Sequence, residues 1–129
     1  MHIAILTGGI SSERSVALRS AENMKHWIQI AGYTSETFDF PDMIPEFLSN
    51  YQTFDLVIPM FHGIYGEDGQ ITAFLRTLGC QYAFSPFTTH ALCLDKYRTN
   101  LFVEAMGIHI PRTIFLPKDE PKKEILSHA

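Results

Sequence analysis

Twice in this chain a short apolar run stops at glycine and gives way to a helical stripe. The first run, Ile3-Ala4-Ile5-Leu6, ends at Gly8-Gly9. Ala17, Ala21, Met24 and Ile28 then fall on one face of a helix expected over residues 14–30, with Gly32 as its stop. The second run covers residues 56–61 and ends at His62-Gly63-Ile64-Tyr65-Gly66-Glu67-Asp68-Gly69. Ile71, Phe74, Leu75 and Leu78 follow as the buried stripe of a helix over residues 70–78, closed by Gly79. Strands that alternate with helices in this way predict an α/β fold, an open parallel sheet with helices on both faces.

The remaining segments extend the pattern. Residues 34–40 read as a strand and residues 41–50 as a short helix with Pro45 near its first turn. Residues 81–84 read as a short strand, and Ser85-Pro86 opens another helical segment. A helix is expected over residues 96–106, with Leu101 and Ala105 on one face and Gly107 after it. A strand over residues 111–116 and a helix over 122–129 complete the reading. Glycine and proline between residues 107 and 111 mark a boundary, so residues 1–107 are expected to form one domain and residues 108–129 the start of another.

Composition excludes several classes. Of 129 residues, 46% are apolar and 19% charged, enough to build a core and too little charge for a disordered chain. The net charge is −4 without a Lys/Arg cluster, which argues against nucleic acid and anionic membranes as partners. No apolar run reaches the roughly 18–20 residues of a membrane span, and the apolar start is too short for a signal peptide. Cys80 and Cys93 lack metal or redox spacing and read as free thiols of a cytoplasmic protein. No metal-ligand cluster is visible.

The two strand-to-helix junctions are the candidate sites, because open α/β sheets bind ligands at the carboxyl ends of their strands. Gly8-Gly9-Ile10-Ser11-Ser12-Glu13 reads equally as a ligand cradle at a helix N-terminus and as an ordinary glycine turn capped by Ser11 or Ser12. It is neither a dinucleotide fingerprint nor a Walker loop. Glu13 falls in the first helical turn, where the dipole favours an anion that could hold an ammonium group, although acids are common at that position in any helix. A lone histidine is more often structural, but the glycines and acids beside His62 favour a functional role. Glu67 and Asp68 read as caps of the next helix, with Asp68 at the N-cap. Asp95 reads as another cap. Lys96, in a first turn where it opposes the dipole, is either a solvated lysine or a phosphate contact.

Taken together, these residues resemble the N-terminal domain of D-alanine–D-alanine ligases, members of the ATP-grasp superfamily. Four segments carry the resemblance: Gly8-Gly9-Ile10-Ser11-Ser12-Glu13-Arg14 with Val16; His62-Gly63 with Gly66-Glu67-Asp68-Gly69; Tyr82 and Ser85 with Ala91 and Asp95-Lys96; and Gly107-Ile108 with Pro111. The resemblance implies a Rossmann-like domain preceding an ATP-grasp domain that begins near Pro111 and continues beyond Ala129. It implies an enzyme that activates one D-alanine as an acyl phosphate with ATP and Mg2+, then joins it to a second for peptidoglycan. Glu13 matches the residue that binds the first ammonium group, Val16 the residue beside its methyl, and His62 the neighbouring histidine. Gly8 and Gly9 match the substrate-binding loop, and Lys96 a lysine that reaches the nucleotide phosphates.

The family's metal-binding acids match nothing in this chain. D-alanine and ATP are the expected partners, with a homodimer through this domain as a family expectation. The departures are Ala17 and His90, where relatives usually carry serine, and Phe84, where they usually carry glycine. Two other functions compete: a small-molecule binding module without catalysis, and an ATP-grasp ligase with another second substrate such as D-lactate. The chain alone is expected to form no dipeptide from D-alanine and Mg-ATP; dipeptide in the assay would refute that.

Overall fold

A computed structural model describes residues 1–116. Three strands, β1 (His2–Gly8), β2 (Thr34–Phe40) and β3 (Leu56–Pro59), form a parallel sheet in the order β2-β1-β3. The register pairs His2 with Thr34 and Gly8 with Phe40 across β1 and β2, and Leu6 with Pro59 across β1 and β3. Each strand is followed by a helix: α1 (Arg14–Ile30), α2 (Ile44–Asn50) and α3 (Gln70–Thr77). Two further helices follow, α4 (Phe87–Leu94) and α5 (Lys96–Ala105).

Alternation along the strands divides the apolar side chains between two faces. Ile3, Ile5 and Ile58 pack with Ala21 and Ile28 of α1 on one face, with Met24 half-buried beside them. Ala4, Leu6, Val57, Phe38 and Phe40 pack on the other, with Phe47 of α2 and with Ile71 and Leu75 of α3. The expected parallel sheet with both faces covered is therefore the fold observed. Phe47 is fully buried among aromatic rings, with centroids 5.4 Å from Phe38, 5.7 Å from Phe40 and 6.4 Å from Phe74.

Several expected boundaries move. α2 starts at Ile44 rather than residue 41, because residues 41–43 turn back on the end of β2 through Met43 N–H to Asp39 O at 2.8 Å. β3 ends at Pro59; Phe61 is buried in the core beneath the sheet instead of continuing the strand. The strand expected at residues 81–84 shrinks to a single bridge between Val57 and Tyr82. Phe84 is the reason: its φ of +84° breaks any extended run.

The chain divides into two compact units, Met1–Ala91 and Leu92–Ala129. In the second, Asp95 caps α5 by accepting from Arg98 N–H at 3.0 Å, as expected. Leu101 and Ala105 are exposed, not a buried stripe. Residues 111–116 form no strand; Thr113 accepts from Asn100 Nδ2 at 2.7 Å and Phe115 meets Tyr97, so side-chain contacts with α5 replace a ladder. The helix expected over residues 122–129 lies outside the described residues. Cys80 is half-buried and Cys93 exposed; both are free, and burial raises the Cys80 pKa above its ordinary value. No described helix is long and apolar enough to cross a membrane.

Candidate functional site at the mouth of the sheet

The register brings the two junction loops to the same end of the sheet. Met60 N–H donates to Leu6 O at 2.7 Å, and Thr7 Oγ1 donates to Met60 O at 3.2 Å, so the His62 loop leaves alongside Thr7-Gly8-Gly9. Ser11 fastens them: its hydroxyl donates to His62 O at 2.7 Å and accepts from Glu13 N–H at 3.2 Å. Ser11 is thus a strap between loops and not the helix cap that sequence allowed. Glu13 takes the N-cap position itself, one residue before the first turn, yet its carboxylate makes no capping hydrogen bond.

That carboxylate lies over Gly63. A methyl group built on Gly63 would sit 3.6 Å from Glu13 Oε2 and 3.2 Å from Ser11 Cβ. A side chain there would crowd the carboxylate, so glycine keeps the space beside it open. Val16, one turn along α1, is 37% exposed and available to a ligand. His62 is held through Nε2, 3.2 Å from Ser20 Oγ. Ser20 was not anticipated: it lies seven residues after Glu13, two turns along the same helix, but an isolated serine on a helix carries no signal of its own.

Arg14, which the sequence motif includes without a role, was unanticipated in its partner. Its guanidinium makes a bidentate pair with Asp39, at 2.8 Å and 2.6 Å, and reaches Gly9 O at 3.3 Å. The hydrogen bond to Asp39 raises the Arg14 pKa above its ordinary value. The pair lies directly over Gly8 and ties the start of α1 to the end of β2. Asp68 is committed to the backbone: Oδ1 accepts from Gln70 N–H at 3.0 Å and Oδ2 from Tyr65 N–H at 3.1 Å. It supports the first turn of α3 from one residue ahead of the N-cap, which is Gly69 and not Asp68 as expected. Glu67 is exposed beside the loop.

The loops that carry Gly8, Gly9 and His62 therefore leave the same end of the sheet, with Glu13 over Gly63 and Val16 one turn further along α1. Lys96 is exposed in the first turn of α5, in the second unit. Among the described residues, no group of three or more His, Cys, Asp or Glu side chains is placed to hold a metal ion.

No protein-family model matches the chain. Individual proteins do. The D-alanine–D-alanine ligase of Thermotoga petrophila is 35% identical over 111 residues, 86% of this chain and 36% of that protein. The corresponding ligase of Neisseria meningitidis serogroup C is 34% identical over 117 residues, 91% of this chain and 38% of that protein. The crystal structure of the Bacillus anthracis D-alanine–D-alanine ligase complexed with ATP superposes with a TM-score of 0.81 at 26% identity, over 98% of this chain and 44% of that one. The chain matches the N-terminal domain of D-alanine–D-alanine ligases. The Aeromonas hydrophila ligase gives a TM-score of 0.78 at 26% identity over 100% of this chain and 54% of its own. The chain spans little more than a third of the length of the curated D-alanine–D-alanine ligases it matches.

The ligase resemblance makes one departure physically legible. Phe84, named above as a departure from the expected pattern, adopts the left-handed conformation at φ +84°. Phe84→Gly is expected to raise stability by up to about 1 kcal/mol, the strain relieved less the extra freedom of glycine in the unfolded chain. Urea unfolding checks this. An unchanged or lower midpoint would mean that the ring's contacts outweigh the strain.

Proposed function

We propose that this chain is the substrate domain of an ATP-dependent D-alanine–D-alanine ligase, with residues 1–107 as that domain and 108–129 opening the ATP-grasp domain. The observation that carries the reading is the Glu13 carboxylate, without a capping bond, lying over Gly63 beside the His62 loop. An anion held there suits the ammonium group of a first D-alanine, with Val16 against the methyl. His62, whose ring Ser20 holds, would be the neighbouring histidine. Held in this way, the amino acid would be oriented for attack on or by its carboxylate, and orientation lowers the barrier to condensation.

ATP would supply the phosphoryl group that activates the carboxylate, and carbon–nitrogen bond formation would follow. Exposed Lys96 fits a phosphate contact. The described residues offer no cluster for Mg2+, so its ligands are expected in the part of the ligases that this chain does not match. A cytoplasmic location and a homodimer through this domain belong to the same reading.

The test is an NMR titration of the chain with D-alanine. Glu13→Gln is expected to weaken binding about ten- to a hundredfold, the usual worth of a hydrogen bond to a charged group. Equal affinity in wild type and Glu13→Gln would sink the assignment and favour a binding module of another kind. D-lactate as the second substrate of the full ligase would leave this first-site result unchanged.

A further inference from the structure

Glu13 and Arg14 stand side by side at the start of α1 with opposite charges, yet they do not pair. Consecutive helical side chains point about 100° apart, and here each goes to a different neighbour. The Glu13 carboxylate lies over Gly63, and among the described residues it makes no salt bridge. The Arg14 guanidinium goes to the end of β2, where both of its terminal nitrogens meet the Asp39 carboxylate. Asp39 and Asp42 are the acids that raise the Arg14 pKa; Glu13 takes no part.

Arg14 is not remote from the mouth. Its Nη1 also reaches Gly9 O at 3.3 Å. A methyl group on Gly9 would lie 3.6 Å from Ile64 O, next to the Gly63 over which Glu13 lies. An unbalanced guanidinium in this place would offset the field of the neighbouring carboxylate. Released from β2, a side chain of this length could also turn back and pair with it. The bidentate pair prevents both, because the carboxylate fixes the planar fork and balances its charge. The Arg14 and Asp39 side chains are 38% and 32% exposed, so this balance is sensitive to salt.

We propose that Asp39 serves the Glu13 site as the charge partner of Arg14: it holds the guanidinium away from the Glu13 carboxylate and neutralises it, so that the mouth stays negative toward an ammonium group. This rests on the reading of Glu13 as the ammonium-binding residue. It goes beyond the tie between α1 and β2, which any hydrogen-bonding pair could make. Asp39 touches no ligand; it is a positioning residue that acts through Arg14.

The probe is D-alaninamide, which carries the ammonium group and the methyl and has no carboxylate of its own. It is titrated by NMR onto the full chain and its variants at about 10 mM ionic strength, where charges act over roughly 30 Å. Asp39→Asn keeps the shape and a hydrogen bond to Arg14 but leaves the guanidinium unbalanced, and is expected to weaken binding about two- to fivefold. Arg14→Gln is expected to tighten it by a similar factor. The double variant should return near the wild-type affinity while its urea midpoint stays low. At about 1 M salt, where the Debye length is about 3 Å, the differences should vanish. A pair that acts only by holding the loop would make all three variants bind more weakly at either salt, and that result would overturn the proposal. If Asp39→Asn fails to fold, the sign of the Arg14→Gln effect decides. Glu13→Gln is the control. If it leaves D-alaninamide binding unchanged, or the wild type does not bind the probe, the reading of Glu13 falls and this inference with it. If Glu13→Gln weakens binding but the opposite signs are missing, only the role of Asp39 falls.

Discussion

Gly8→Ala is expected to lower stability by about 3 kcal/mol, combining the left-handed penalty with overpacking. Gly8 has φ +92° and sits opposite Phe40 at the last rung of the β1–β2 ladder. A methyl group there would lie 2.7 Å from Phe40 O and 2.6 Å from Arg14 Nη1, and would strike Asp39 Oδ1. Phe40 O cannot retreat easily, because it accepts from Gly9 N–H at 2.8 Å. The Arg14–Asp39 pair would have to open, and α1 would lose its tie to β2 just beside Glu13. Urea unfolding gives the stability change, and D-alanine titration the effect on the site. A loss below about 1 kcal/mol would mean that the loop rearranges freely, contrary to the packing described.

Phe47→Ala is expected to cost about 4 kcal/mol, within the range for removing a fully buried phenylalanine. Its ring is the centre of the aromatic cluster on the α2–α3 face, packed against Phe38, Phe40 and Phe74. The expected signature is a lower urea midpoint with D-alanine affinity of the folded protein unchanged, since Glu13 and α1 lie on the opposite side of the sheet. A loss under about 2 kcal/mol would show that the cluster collapses into the cavity. Loss of affinity in the folded protein would show that the two faces are coupled.

The sequence made β1, α1 and β2 legible almost to the residue because each carries its own period. Ile3 and Ile5 alternate with Ala4 and Leu6, and Ala17, Ala21 and Ile28 repeat at helical spacing. Residues 81–84 misled because Gln81-Tyr82-Ala83-Phe84 looks like a strand until one residue turns left-handed, and Phe84 gives no local sign of doing so. Residues 111–116 misled because alternation alone does not supply a neighbouring strand. The loops at the site were visible as glycine and acid clusters next to buried strands. Ser20 and the Arg14–Asp39 pair were not, since each acts through contact between residues far apart in the chain or on separate turns. Which of two mouth-facing acids is free was equally hidden: Asp68 is taken up by backbone N–H groups, while Glu13 is not.

The Ser11 hydroxyl bond to His62 O has a thermodynamic consequence. Two loops separated by some fifty residues are fastened together before any ligand arrives, so the conformational entropy of bringing them into register is lost during folding. An arriving molecule meets a surface already set and need not order it, which leaves more of its contact energy to appear as affinity. Cutting that strap would also free the Glu13 N–H it accepts from, and would weaken every ligand that must touch both loops.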